Sequence, residues 1–113
     1  MWLDDYNNSP VGLMTFDNAI LACEALIFAG YADWRLPNIL EWLSIYGWAS
    51  IIAPYIDTNI FLNMAVNSYH SSTTNPVNAL QNFCIDLTNI NAPTVPVAKP
   101  TGSLCFPVRG GQP

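Results

Sequence analysis

Apolar residues recur at helical spacing through the first half of the chain and alternate with polar ones through the second. Phe16, Ile20, Cys23 and Ile27 fall on one face of a helix that Thr15 caps and that runs about fifteen residues to a stop at Gly30. Asp17 in its first turn suits the positive end of the helix dipole. A second helix is predicted from Ile39 to about Tyr46, with Gly47 beyond it and Ile39, Trp42, Ile45 and Tyr46 as its inward stripe. Asn38 and Glu41 have the spacing of a capping box, and Pro37 keeps Leu36 out of the helical conformation, so Trp34 to Leu36 reads as a short strand. On that strand Trp34 and Leu36 face the core, while Asp33 and Arg35 on the other face read as a structural ion pair.

From Asn67 onward, short alternating runs are broken by Asn75-Pro76, Asn89, Asn91-Ala92-Pro93, Pro96, Pro100 and Gly102, the texture of antiparallel sheet with long connections. Phe83, Ile85 and Leu87 alternate with Asn82, Cys84, Asp86 and Thr88, which predicts a strand whose apolar face meets the helices. A last strand is expected from Ser103 to Val108, a short first one from Met1 to Leu3, and a loop over Pro54 to Phe61 that buries Ile56 and Phe61. The expected class is α+β, with two helices on a twisted antiparallel sheet, residues 1–113 forming a single domain.

The helices carry more apolar groups than one core needs. Leu21 and Phe28 on the first, and Leu40 and Leu43 on the second, stand off the inward stripes. They suggest contact with a second copy or docking onto the rest of a longer parent chain; the competing reading is that a loop, Trp48 to Ile52, covers them.

Charge narrows the partners. Three basic residues against eight acidic ones give a formal charge of −5, which offers no footprint for nucleic acid or anionic lipid. No apolar run approaches a membrane span, and the start has no basic or apolar segment of a signal peptide, so an exported form is expected to travel within a longer chain or a particle.

Catalytic chemistry has little to stand on. His70 and Cys84 could lie close enough for a nucleophile pair, but an acidic chain lacks the electropositive setting that activates a thiol. No cluster of ligands has metal-binding spacing. No catalytic residue, metal or cofactor is therefore expected.

With Phe83, Ile85 and Leu87 turned inward, Asn82, Cys84 and Asp86 are expected to face out, joined by His70, Ser72, Leu104 and Phe106 on neighbouring strands and by Asn78, Leu80 and Asn89 in the connections. Amides, hydroxyls, an imidazole and a few apolar groups make a surface suited to recognition.

The string Asp33-Trp34-Arg35-Leu36-Pro37-Asn38-Ile39, with Glu41 after it, Trp2-Leu3-Asp4-Asp5 before it, Tyr69-His70-Ser71-Ser72-Thr73 beyond and Val108-Arg109-Gly110-Gly111 at the end, resembles the Lcl C-terminal domain family, typed by a bacterial collagen-like adhesin. That family is similar to C-type-lectin-like domains. The resemblance implies a structural role for Asp33, Trp34, Arg35, Asn38, Glu41 and Arg109, and a non-enzymatic binding module of an adhesin, tail fibre or related protein at a cell or virion surface. A protein or glycan is the implied ligand, bound without calcium because Asn75-Pro76 lacks the carboxylates of a calcium lectin. The adhesin's association with sulfated glycosaminoglycans is opposed here by the negative charge.

Departures from the family pattern cluster on the expected face: His70 for tryptophan, Cys84 for an aromatic, Ile90 for glycine and Phe106 for arginine. Adenine-directed mutation by a diversity-generating retroelement scatters residues of this kind over such faces, so a variable binding protein is one expectation. An oligomerisation domain of a tail fibre and an enzyme using Cys84 and His70 are the alternatives. The family often pairs a helix cysteine with one in the last strand; that place holds Pro107 here, and Cys105 lies two residues earlier on the same face of a regular strand. A Cys23–Cys105 bridge and three reduced thiols both remain open.

Overall fold

A computed structural model describes residues 2, 3, 5–10, 12–46, 55, 56, 61–88 and 94–110. The class is α+β, with two helices and antiparallel sheets. After a short 3-10 helix at Tyr6–Asn8, capped by the Asp5 carboxylate, come helices α1 (Phe16–Ala25) and α2 (Ile39–Ile45). Strands β1 (Trp34–Arg35) and β5 (Val108–Arg109) pair in one small sheet, and β2 (Ser68–Thr74), β3 (Gln81–Asp86) and β4 (Thr94–Ala98) form another in that order.

The predicted caps form. The Thr15 hydroxyl accepts the Asn18 N–H, and at α2 the Asn38 side chain accepts the Glu41 N–H at 2.8 Å while Glu41 accepts the Asn38 N–H at 2.9 Å. Helix α1 is shorter than expected, because Leu26 is already extended. Gly30 serves a different purpose. Ala29 and Gly30, both with positive φ, make a two-residue turn across which Phe28 and Tyr31 exchange two backbone hydrogen bonds of 2.9 and 3.0 Å. Ile27, expected in the core, is consequently exposed, whereas Phe16, Ala19 and Cys23 are buried.

The expected ion pair Asp33–Arg35 is replaced by two others. Arg109 grips Asp33 through Nε (2.7 Å) and Nη2 (3.0 Å), and Arg35 grips both oxygens of Glu41 at 2.8 Å. Residues two apart on an extended strand are separated by a full repeat, so a neighbour across the β1–β5 ladder is the nearer partner for Asp33. Arg109 also lies over the Tyr31 ring, at 3.6 Å.

The expected last strand is divided between the two sheets. Leu104 lies parallel to β2, accepting the His70 N–H and donating to Ser68 O, whereas Val108 pairs with β1. Pro107, between them, has no N–H to give a ladder. Ser103 in turn exchanges backbone bonds of 2.9 Å with Met14, so the lead-in to α1 extends the sheet. At the opposite edge, the Lys99 N–H bonds Leu80 O; by alternation Val95 and Val97 bond β3, and Pro96 turns its missing donor to the outside.

Both faces of β2 and β3 are covered, which the one-sided alternation did not anticipate. On the first face Trp42 of α2 packs against Tyr69, Trp2 and Phe106, with Ile85, Leu87, Ile56 and Phe61 in the same core. The Trp42 indole N–H is satisfied by His70 O at 3.0 Å. On the second face Met14 and Phe16 close over His70, and Ser103 over Cys84.

Candidate functional site

The expected recognition face is interior. His70, Asn82, Cys84, Leu104 and Phe106 are all buried, the last packed against Trp2, Trp42 and Phe61. Ser72 and Asp86 are half-buried, Asn78 and Leu80 are exposed, and Asn89 and Ile90 lie outside the described residues. A polar residue on a covered strand survives when its hydrogen bonds are met internally, and such a strand has the same sequence pattern as one facing water.

That interior polar cluster is defined bond by bond. The His70 Nε2 lies 2.5 Å from Met14 O, which can only accept, so Nε2 carries the proton. Nδ1 is then the acceptor, and Asn82 Nδ2 donates to it at 3.1 Å as well as to Ser71 O at 3.2 Å. Cys84 Sγ is 3.7 Å from the same Nδ1 and 3.8 Å from Ser103 Oγ, and Ser103 bonds Ser68. Among the described residues Asn82 Oδ1 has no hydrogen-bond partner.

Cys84 and His70 therefore do meet, but in the wrong state for a nucleophile pair. Burial pushes the thiol up to about 11 and the imidazole below its ordinary value, so at neutral pH both are uncharged and sealed from solvent. Cys23 and Cys105 form a second sulfur contact, in a small cluster with Ala19 and Leu36. The hydrogen bond from Cys23 to Cys105, then burial, raises the Cys23 thiol far above its usual range. Among the described residues no three His, Cys, Asp or Glu side chains converge on a metal position.

Exposed groups suited to recognition gather instead at one end of the larger sheet. The β2–β3 connection is two successive turns, closed by Asn78 N–H to Asn75 O (3.2 Å) and Gln81 N–H to Asn78 O (3.0 Å). Each asparagine also accepts a backbone N–H two residues on, from Val77 and Leu80 respectively, both at 3.0 Å. A further bond joins Asn75 Nδ2 to Gln81 Oε1. On this fixed frame Val77 is 92% and Leu80 76% exposed.

The β4 exit supports the same end. Lys99 N–H bonds Leu80 O, Lys99 O accepts the Phe16 N–H, and the Lys99 ammonium lies over the Phe16 ring. Exposed Leu13 packs on Gly102, where an added Cβ would lie 3.2 Å from its own. Of this end the sequence singled out Asn78 and Leu80; Val77 and Leu13 were missed. Apolar residues inside an Asn-Pro-x-Asn turn were the available signal.

The four leucine and phenylalanine positions singled out on the helices separate. Leu21 and Leu40 are exposed, but Phe28 packs beside Trp34 and Leu43 against the main core. The loop proposed to cover them, Trp48 to Ile52, lies outside the described residues. Among the described residues no helix is long and apolar enough to cross a membrane.

In sequence comparison, the profile of the Lcl C-terminal domain matches residues 1–109. No curated protein matches significantly.

Proposed function

Because this chain belongs to the Lcl C-terminal domain family, we propose that it is a C-type-lectin-like, non-enzymatic binding module of a surface-exposed or virion protein, engaging its ligand through the turn-rich end. The carrying observation is the pair of aliphatic side chains, Val77 and Leu80, held in water by a hydrogen-bonded double turn. Burying them on a partner returns the apolar surface that folding left exposed, and the rigid frame limits the entropy lost on binding.

A protein ligand fits this end better than a glycan. Sugars are commonly recognised on aromatic platforms, and the exposed anchors here are aliphatic. The negative net charge disfavours nucleic acid, anionic lipid and sulfated glycans. Binding proceeds without calcium, since the Asn75 and Asn78 side chains are already committed to backbone N–H groups and among the described residues no cluster of carboxylates gathers. Diversification by a retroelement acts on exposed positions such as Asn78 and Leu80, because scattering substitutions over His70, Asn82, Cys84, Leu104 and Phe106 would disrupt the core.

The test is to probe protein and glycan arrays with the labelled domain, with and without a chelator. Chelator-resistant signal on protein features supports the reading. Signal confined to glycans, or lost with the chelator, overturns it. Exposed Leu21 and Leu40 favour a second reading, an assembly domain, which predicts a concentration-dependent oligomer that Leu21→Ser and Leu40→Ser dissolve.

A further inference from the structure

The basic side chains of this acidic chain differ in what surrounds them. Arg35 is held by both oxygens of Glu41, and Arg109 by both oxygens of Asp33. Lys99 has no carboxylate within ion-pair distance among the described residues. Its ammonium rests instead on the Phe16 ring, 4.8 Å from the centroid. Asp17, the next residue of α1, is exposed and forms no ion pair with it. An unneutralised cation therefore stands at the turn-rich end.

Backbone geometry sets that cation beside an aliphatic anchor. The Lys99 N–H bonds Leu80 O at 2.9 Å, which continues the β3–β4 ladder one pair beyond Gln81 and Ala98. Residues directly opposite in an antiparallel ladder turn their side chains to the same face, with Cβ atoms about 5 Å apart. Leu80 and Lys99 therefore leave the sheet side by side, on the face that Asn82 and Val97 also share. Lys99 O accepts the Phe16 N–H at 3.0 Å, so the ring beneath the ammonium is tied to the same frame. Val77 and Leu13 add exposed aliphatic surface at this end.

We propose that the turn-rich end binds a protein segment in which aliphatic residues flank an aspartate or glutamate, the aliphatic side chains settling on Val77 and Leu80 and the carboxylate on Lys99 Nζ. The inference rests on the binding role proposed above and specifies the partner for it. An apolar patch alone accepts any apolar surface, whereas a charge at its edge selects by sign. A carboxylate gains an attraction that no acid of this chain takes among the described residues, and a basic segment meets repulsion. The Lys99 stem is already ordered against Phe16, so less side-chain freedom is lost when the ion pair forms. The net charge of −5 opposes acidic partners at long range, but it is screened beyond about 8 Å at physiological ionic strength, and a docked segment meets Lys99 well inside that distance.

Immobilised short peptides, acetylated and amidated so that side chains alone carry charge, test this with the labelled full chain. Four sets are compared: Leu and Val mixed with Asp and Glu, with Lys and Arg, or with Ser and Gly, and Ser and Gly mixed with Asp and Glu. The aliphatic-acidic set should be retained about threefold to fivefold better than the aliphatic-neutral one, the span of a single exposed ion pair, and better still than the aliphatic-basic one. Salt at about 1 M should erase that preference in the wild type. Lys99→Gln should lose the preference yet still retain the aliphatic-neutral set, and Lys99→Glu should turn it toward the aliphatic-basic set. Equal retention of the acidic and neutral aliphatic sets, an unchanged preference in Lys99→Gln, equal retention of the acidic set without aliphatic residues, or retention of no set overturns the inference. The binding role fails separately, if Val77→Ser with Leu80→Ser leaves retention of the aliphatic sets undiminished.

Discussion

Glu41 holds both terminal nitrogens of Arg35 at 2.8 Å while its Oε1 also accepts the backbone N–H of Asn38. One carboxylate thus closes the capping box of α2 and fastens the helix to β1; Arg35 in turn donates to Gly110 O beyond β5. Glu41→Ala is expected to lower unfolding stability by about 2 kcal/mol, and Glu41→Gln, which can keep the cap, by about half that. Denaturant titration checks both. The hydrogen bond with Arg35 holds the Glu41 carboxyl below its ordinary range. Its contribution is therefore present above the unfolded value of about 4.3 and is lost as pH falls through the folded one. Stability measured from neutral pH to about pH 3 should decline less steeply in Glu41→Gln than in the wild type.

Of two residues expected on the exposed face, Phe106 is buried and Leu80 stands in water. Phe106→Ala is expected to cost about 3–5 kcal/mol, because it empties a site among Trp2, Trp42 and Phe61. Leu80→Ala should change stability by about 0.5 kcal/mol or less, since its side chain already stands in water. Equal effects in a denaturant titration would contradict the burial of the first.

The adjacent thiols of Cys23 and Cys105 are placed to pair under a mild oxidant, each losing one hydrogen. Such a bridge would close most of the chain into one loop, for a gain on the order of 4 kcal/mol. Thiol titration under denaturing conditions should then find Cys84 alone, and Cys105→Ser should abolish the gain. A bridge that involves Cys84 would be inconsistent with its place against His70 and Ser103.

The caps and most of the inward stripes are legible in the sequence, whereas the burial of the polar face of β2 and β3 is not. The capping box at Asn38 and Glu41 and the N-cap at Thr15 depend on residues three apart, so the sequence contains all that is needed. Gly30 has the sequence signature of a helix stop yet forms a tight turn, because a positive-φ glycine serves helix ends and tight turns alike. The alternation of Phe83, Ile85 and Leu87 with Asn82 and Cys84 located β3 but could not show that Met14, Phe16 and Ser103 cover its second face. That covering comes from chain segments distant in sequence, and period-two patterning carries no trace of them. Likewise Asp33 found its partner in Arg109, at the other end of the chain.

The most direct test compares two double variants in one binding assay against the protein ligand that the array identifies. Val77→Ser with Leu80→Ser is expected to weaken binding tenfold or more with the melting temperature unchanged, because both side chains are exposed on a turn held by backbone bonds. Leu21→Ser with Leu40→Ser should bind as the wild type does. Full binding by the turn variant, or its loss only in the helix variant, would contradict recognition at the turn-rich end.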